Sequence, residues 1–255
     1  MVTSLSLPPF NYFFVNFFTF SLFFLFLIKK SDHHNNKKLF FYYGWLFGFG
    51  YFLSNLYWIS ISLTFDQNFK FLIPLTIFLI PSFLALFYGL ITFFFIICKP
   101  KKFIHGFLVF SLIYGFLEFL RGSILTGFPW NLIVYSFSNQ LEILSITSVI
   151  GTYGLNLFCI LLFTSPALLI LKKSNVDIFV FLFIILTPVL FYIYGLNYSK
   201  KFQEADKIVY DYKIRAIGSN IAIERFYSGG DTISIIDLTV KKIYCCSFFV
   251  ISTTY

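Results

Sequence analysis

The stretch IHGFLVFSLIYGFLEFLRGSILTGFPWN, residues 104–131, joins an apolar helix to a loop. Residues 104–121 are apolar over a length that crosses the hydrocarbon core as a helix, for which roughly 17–25 residues are needed. Glu118 and Arg121 stand at its end, three residues apart. On a helix they share a face and can pair, which lowers the cost of carrying either charge into a membrane. The stretch therefore predicts a membrane-spanning helix that ends in an ion pair.

The residues that follow predict an irregular loop at the membrane surface. Gly127 and Pro129 favour a turn, and the amphipathic ring of Trp130 suits the headgroup level. Two interpretations of this motif stay open: a loop that faces lipid or substrate, and a plain interfacial anchor whose ion pair fixes the helix end. The candidate site or structural motif consists of Glu118, Arg121, Gly127, Phe128, Pro129 and Trp130.

The composition of the chain excludes one soluble globular core. Of 255 residues, 58% are hydrophobic and 12% charged, and the mean hydropathy is +0.83, so a bilayer is the natural solvent. The net charge of +8 comes from basic residues in short runs between long apolar stretches. That pattern indicates membrane topology and not a phosphate-binding face, so no nucleic-acid partner is predicted.

The fold class predicted is a membrane all-α protein, a polytopic helical bundle of about six spans. A transmembrane domain is assigned to residues 1–197, and a linker with the start of a soluble domain to 198–255. The six spans are placed at residues 10–28, 40–64, 71–98, 104–121, 141–171 and 178–196.

Lysines set the predicted topology. They cluster after the first, third and fifth spans, and short lysine-rich loops stay in the cytoplasm. These lysines are Lys29, Lys30, Lys37, Lys38, Lys99, Lys101, Lys102, Lys172 and Lys173. The expected location is the bacterial inner membrane, multi-pass, with both termini and the soluble tail on the periplasmic face. An outside N-terminus leads us to expect a further helix upstream.

Small residues predict where helices pack. Gly44 and Gly48 lie four apart on one helical face, a spacing that lets helices approach closely. Gly151 and Gly154 predict tight packing or a bend in the fifth span, and Asn156 is expected to bond a neighbouring helix.

The tail from about residue 198 is polar and of mixed charge. Tyr212–Ile217 alternates as a strand does, Ser219 and Asn220 supply a turn, and a helix is predicted over Thr232–Lys242. A strand and a helix alone do not bury an apolar face, so the α/β domain is expected to be incomplete.

These motifs together resemble the apolipoprotein N-acyltransferase family, and the resemblance covers nearly the whole chain. The matching motifs are Pro8-Pro9-Phe10, the glycine-rich helix from Gly44 to Trp58, Glu118-x-x-Arg121-Gly122 with Thr126-Gly-Phe-Pro-Trp130, Gly151-x-Tyr153-Gly154, and Ile214-Arg215 through Ser219-Asn220-Ile221. The last of these is similar to the first strand and turn of the family's nitrilase-like domain.

The resemblance implies transfer of an acyl chain from a phospholipid to the N-terminal diacylglyceryl-cysteine of lipoproteins, so a phospholipid donor and a diacylated lipoprotein acceptor are the expected partners. It also implies a nitrilase-like Glu, Lys and Cys, none of which can be placed on this sequence. Cys245 and Cys246 come too early in that domain to serve. No catalytic residue, cofactor or metal is therefore predicted, and the chain alone is expected to be an inactive fragment.

A second hypothesis is a six-span transporter or membrane scaffold without catalysis. Transporters show internal repeats or paired broken helices with polar groups at mid-depth. The sequence shows no repeat, and its ionisable pair lies near a helix end, so the acyltransferase resemblance is preferred.

Overall fold

The computed structural model describes residues 1–33, 36–98, 100, 102–124, 127–170 and 174–204. These ranges are mostly helical and contain no strand. The strand predicted at Tyr212–Ile217, the helix at Thr232–Lys242, and Cys245 and Cys246 lie outside the described residues.

Apolar runs become helices in the order that the sequence predicts. The α-helices of the described ranges are α1 (Val15–His33), α2 (Lys37–Leu56), α3 (Ile73–Cys98), α4 (Phe103–Ser123), α5 (Leu141–Leu144), α6 (Thr147–Thr164), α7 (Pro166–Ile170) and α8 (Asn175–Glu204). Short 3-10 segments are Val2–Ser6, Tyr57–Thr64, Gln67–Leu72 and Ile133–Phe137.

Five helical stretches of the described chain are long and apolar enough to cross a membrane: Lys37–Thr64, Gln67–Cys98, Phe103–Ser123, Thr147–Ile170 and Asn175–Glu204. They correspond to the last five predicted spans, so the chain is a multi-pass membrane protein.

The first of the six predicted spans, at residues 10–28, is not among these five, so the count of about six is corrected to five for the described residues. Helix α1 begins only at Val15, after a turn in which Asn11 has a φ of 57°. Its apolar part ends at Ile28, because Lys29, Lys30 and Asp32 follow. The helix is nevertheless part of the core, where Phe20 and Phe24 are fully buried.

The chain divides into two compact units. The first contains Met1–Trp58 and Pro74–Ala205, and the second includes Ile59–Ile73. In Ile59–Ile73 these side-chain hydrogen bonds are local: the hydroxyl of Ser62 donates to the carbonyl of Ile59, and the carboxylate of Asp66 accepts from the amide of Asn68. The features described below all lie in the first unit.

Aromatic packing holds α1 against α4 and α6. The ring of Phe17 meets Phe163 edge to face with centroids 5.0 Å apart, and Phe24 lies 5.3 Å from Phe110. Ser21 donates a 3.1 Å hydrogen bond to the carbonyl of Phe163. Phenylalanines thus fill the spaces between these three helices.

The glycines of α2 allow a close approach to α3, as predicted. A Cβ on Gly44 would collide with the carbonyl of Tyr88 and the hydroxyl of Thr92. A Cβ on Gly48 would lie 2.6 Å from the Cβ of Tyr88. The Thr92 hydroxyl donates a 2.6 Å hydrogen bond to the carbonyl of Phe40, so the two helices are also tied by a polar contact. Because Gly44 and Gly48 have no side chains, α2 can lie directly against α3.

Helix α6 is bent where the sequence places Gly151, which has a φ of 72° and a ψ of 166°. Beyond the bend, the side-chain oxygen of Asn156 accepts a 3.0 Å hydrogen bond from the amide of Val134. The expectation that Asn156 bonds a neighbouring helix is thus corrected in one respect, since Val134 belongs to the 3-10 segment Ile133–Phe137. That segment needs outside acceptors because it is too short to pair its own amides.

Helix α8 lies at the surface of its unit and packs on α5. The backbone of Glu142 occupies the position that a Cβ on Gly195 would take. Phe179 and Phe183 are 70% and 67% exposed, which is the arrangement expected of side chains that face lipid and not water.

Candidate functional site

The last two turns of α4 carry the buried ion pair that the sequence predicts. Arg121 Nη2 donates to Glu118 Oε2 at 2.8 Å, and Arg121 Nε donates to Glu118 Oε1 at 3.2 Å. Glu118 is 1% exposed and Arg121 is 2% exposed. A two-point contact between a guanidinium and a carboxylate suits a site without water, because each charged oxygen receives its own N–H.

The guanidinium also holds the loop that follows the helix. Arg121 Nη1 donates to the carbonyl of Phe128 at 2.6 Å and to that of Trp130 at 3.1 Å. In the other direction, the amide of Phe128 donates to the carbonyl of Arg121 at 3.1 Å. One buried side chain therefore ends the helix and fixes the path of residues 127–131, which we call the site loop.

The site loop turns back at a glycine. Gly127 has a φ of 75°, and its amide donates to the carbonyl of Ile124 at 2.8 Å. A Cβ at this position would collide with the carbonyl oxygen of Gly122. The turn therefore requires glycine for both its backbone conformation and its space. At the other end of the loop Asn131 has a φ of 59°, which asparagine tolerates better than most residues.

The C-terminal end of α2 supports the loop from the other side. Tyr51 donates its hydroxyl proton to the carbonyl of Asn131 at 2.8 Å, and the ring of Phe52 lies 5.2 Å from the guanidinium carbon of Arg121. Tyr51 and Phe52 are buried. The cation over an aromatic face and the phenol bond add to the ion pair in fixing the loop.

Buried tyrosines continue inward from the ion pair. The ring of Tyr88, in α3, lies 6.0 Å from that of Tyr51 and 5.1 Å from that of Tyr114, in α4. All three are essentially without exposure. The ion pair therefore rests on a layer of phenol rings contributed by three helices.

Aromatic rings on the outer side of the loop line a groove. Trp58 stacks on Trp130 with centroids 5.2 Å apart, and Trp130 stacks on Phe128 at 6.0 Å. Trp58 and Trp130 are 42% and 52% exposed. The aromatic groove has a volume of about 460 Å³ and is lined by Trp58, Pro129, Trp130, Asn131 and Tyr135.

The aromatic groove is neutral. None of its lining side chains carries a charge near neutral pH, and partial burial raises the pKa of the Tyr135 phenol. Indole rings present an apolar face together with an N–H donor, and Tyr135 adds a hydroxyl. Such a surface matches the boundary between acyl chains and ester groups in a lipid, where apolar and hydrogen-bonding surfaces meet.

The structure brings all six sequence-predicted site residues to one end of the bundle. Glu118 and Arg121 lie inside, Gly127 makes the turn, and Phe128, Pro129 and Trp130 form the outer surface. Five further residues of the site were not assigned to it from the sequence: Tyr51, Phe52, Trp58, Asn131 and Tyr135. Tyr51 lies in an apolar run, where its hydroxyl is the only signal of a polar partner, and that partner is 80 residues away.

Comparison with known proteins identifies relatives. Residues 1–164 match the family model described as the apolipoprotein N-acyltransferase N-terminal domain. That match includes Trp58, the ion pair and the site loop.

Individual relatives carry the same name. The apolipoprotein N-acyltransferase of Rhodopseudomonas palustris is 40% identical over 134 residues, 52% of this chain and 25% of the relative. That of Rickettsia prowazekii is 39% identical over 132 residues, which cover 51% of this chain and 26% of the relative. That of Rhizobium rhizogenes is 33% identical over 181 residues, which cover 68% of this chain and 33% of the relative. The matches thus span about a quarter to a third of the length of these relatives.

Proposed function

The chain belongs to the apolipoprotein N-acyltransferase family, and from this premise we propose that it provides the membrane part of an enzyme that moves an acyl chain from a phospholipid to the N-terminal diacylglyceryl-cysteine of lipoproteins. Both substrates carry acyl chains joined to glycerol by esters. The acyl transfer is ascribed to the family's nitrilase-like Glu, Lys and Cys, and no described residue is given that role.

The observation that carries the proposal is the rigid aromatic groove beside a buried ion pair. A plain interfacial anchor needs only exposed indoles at the headgroup level. Here the loop backbone is held by three hydrogen bonds, from Arg121 and Tyr51, to the carbonyls of Phe128, Trp130 and Asn131. A loop fixed in this way keeps its groove open without a ligand, which is the usual state of a binding site. We assign the groove to the diacylglyceryl part of the substrate.

The orientation follows from the helix directions. Both α2 and α4 begin beside lysines, at Lys37 and Lys102, and both end at the aromatic groove. A helix of this length rises about 30 Å, the thickness of the hydrocarbon core. If the lysine end lies in the cytoplasm, the groove opens at the periplasmic face of the inner membrane, where lipoproteins are modified. This topology is part of the proposal.

Photolabelling tests the assignment. The purified chain is placed in vesicles that contain a phospholipid with a diazirine in its acyl chain, and labelled peptides are identified by mass spectrometry. We expect peptides with Trp58 and with residues 129–135 to be labelled, and a synthetic diacylglyceryl-cysteine peptide to reduce that labelling. The same peptide without acyl chains serves as the control competitor.

Two variants sharpen the test. Trp58→Ala with Trp130→Ala removes the stacked wall and should reduce the competition severalfold. Trp45→Phe is the matched control, because Trp45 bonds the carbonyl of Ser82 and does not line the groove. If the acylated peptide leaves labelling of the groove unchanged in the parent chain, the assignment to the diacylglyceryl part is wrong.

A further inference from the structure

A second groove lies near the lysine end of the bundle, between the first turns of α2 and the later turns of α3. It has a volume of about 210 Å³ and is lined by Lys38, Phe41, Tyr42, Leu90 and Phe93. We call it the lysine-side groove. It shares no residue with the aromatic groove, and nothing in the acyl-transfer proposal uses it.

Backbone contact between α2 and α3 fixes the shape of the lysine-side groove. The Thr92 hydroxyl bonds the carbonyl of Phe40, and a Cβ on Gly89 would lie 2.7 Å from the ring of Phe41. The helices are therefore in contact immediately beside the groove, and its walls stand on segments that cannot slide apart without losing this contact.

The chemistry of the walls is divided. Phe41, Leu90 and Phe93 are apolar and half-buried, whereas Lys38 and Tyr42 are exposed. Lys38 is the second residue of a candidate membrane span that begins at Lys37, so its ammonium group stands at the depth of the headgroups. Among the residues that the structure describes, Lys38 has no carboxylate within ion-pair distance. The groove thus combines an apolar slot with one unpaired cation and one phenol at its mouth.

From this arrangement we propose that the lysine-side groove binds an anionic phospholipid, with part of one acyl chain between Phe41 and Phe93 and the phosphate facing Lys38. The positive charge of Lys38 favours an anionic headgroup over a zwitterionic one. A zwitterionic lipid carries its own cation beside the phosphate, whereas an anionic lipid leaves a net negative charge for the lysine. The apolar slot holds the acyl chain at a fixed place. A surface lysine without such a slot would attract anionic lipid but would not fix the position of its chain.

Photolabelling with defined lipids tests the proposal. The purified full chain is reconstituted in phosphatidylcholine vesicles that contain a small fraction of diazirine-bearing phosphatidylglycerol, or the same fraction of diazirine-bearing phosphatidylcholine. We expect phosphatidylglycerol to label the peptides of Phe41 and Phe93 about fivefold more strongly, the order expected for one lysine near an anionic headgroup. Exposed α8, with Phe183, is the internal reference for contact with bulk lipid.

Two substitutions separate charge from shape. Lys38→Gln should bring labelling by phosphatidylglycerol down to the level of phosphatidylcholine, whereas Lys200→Gln, which removes an exposed lysine of α8, should leave it unchanged. Leu90→Trp fills the slot and should lower labelling at Phe93 by both lipids. Equal labelling by the two lipids, or a Lys38→Gln chain that labels like the parent, overturns the proposal. Because Lys38 is exposed, the Lys38→Gln variant is expected to fold. Its labelling therefore tests the proposal even if the Leu90→Trp variant fails to fold.

Discussion

Arg121 donates hydrogen bonds both to the carboxylate of Glu118 and, at 2.6 Å, to the carbonyl of Phe128. The ion pair and the site loop are therefore one structure. Removing the carboxylate and removing the guanidinium should not have the same effect, because only the guanidinium contacts the loop.

Glu118→Gln should destabilise the protein and largely preserve the loop. It leaves a buried guanidinium without its counter-charge, a change that costs about 3–5 kcal/mol in buried pairs. Arg121→Gln should cost at least as much and should also release the carbonyls of Phe128 and Trp130. The measurement is thermal unfolding in detergent together with protein level in the membrane. If neither variant differs from the parent chain in either measurement, the stabilising role of the pair is wrong.

Exchanging the two residues gives a sharper test. Glu118→Arg with Arg121→Glu restores opposite charges, so membrane accumulation should recover in part. A carboxylate at position 121 has no proton to donate to the loop carbonyls. Protease protection of residues 127–131 should therefore stay reduced in the double variant. Full recovery of that protection would contradict the role given to Arg121.

Two glycines with positive φ separate backbone strain from steric collision. Gly127 and Gly151 have φ values of 75° and 72°, but a Cβ would meet the carbonyl of Gly122 only at Gly127 and has nothing within 4 Å at Gly151. Gly151→Ala should cost about 1–3 kcal/mol from backbone strain alone. Gly127→Ala should cost more and should also reduce labelling of the aromatic groove. The free energy of unfolding and the labelling assay together test this difference. An equal loss of stability in the two variants would contradict the steric collision at Gly127.

The sequence predicts the helices well because each needs a local apolar run. The bend at Gly151 and the pairing of Glu118 with Arg121 are local as well, since each depends on residues within one turn. The stacking of Trp58 on Trp130 and the bond from Tyr51 to Asn131 join residues more than 70 positions apart, so no local spacing encodes them. The start of the first predicted span was placed too early, because Tyr12, Phe13 and Phe14 are aromatic like the helix that follows, yet they belong to the turn that begins at Asn11.

The lysines predict the orientation of the bundle. Reporter fusions after Lys37, Lys101 and Lys173 should behave as cytoplasmic, and fusions at Asn68, Leu125 and Asp206 as periplasmic, because short lysine-rich loops are retained inside. Alkaline phosphatase activity reports the periplasmic positions and fluorescence of a cytoplasmic reporter the others. A cytoplasmic signal at Asp206 would place the soluble tail away from lipoprotein substrates and would contradict the proposed orientation.

Close packing of α2 on α3 predicts intolerance to one methyl group. In Gly48→Ala the new Cβ would lie 2.6 and 2.7 Å from the Cβ and Cγ of Tyr88, so the helices must separate, at a cost of about 1–3 kcal/mol. Gly50→Ala is the matched control, because its nearest neighbour would be the amino group of Met1 at 3.3 Å. Thermal unfolding of both variants checks the prediction, which fails if they lose stability equally.

The phenol of Tyr51 should contribute to the loop by a single hydrogen bond. Tyr51→Phe keeps the ring and its packing on Tyr88 but leaves the carbonyl of Asn131 without this donor, which should cost about 1 kcal/mol. Tyr12→Phe is the control, because Tyr12 is 50% exposed and its change should cost almost nothing. The loss at Tyr51 should appear in unfolding and, more clearly, as faster hydrogen exchange of the amides of Phe128, Trp130, Asn131 and Leu132, while exchange at the end of α4 stays the same. Exchange that is unchanged in the loop, despite an intact fold, would show that Arg121 alone holds it.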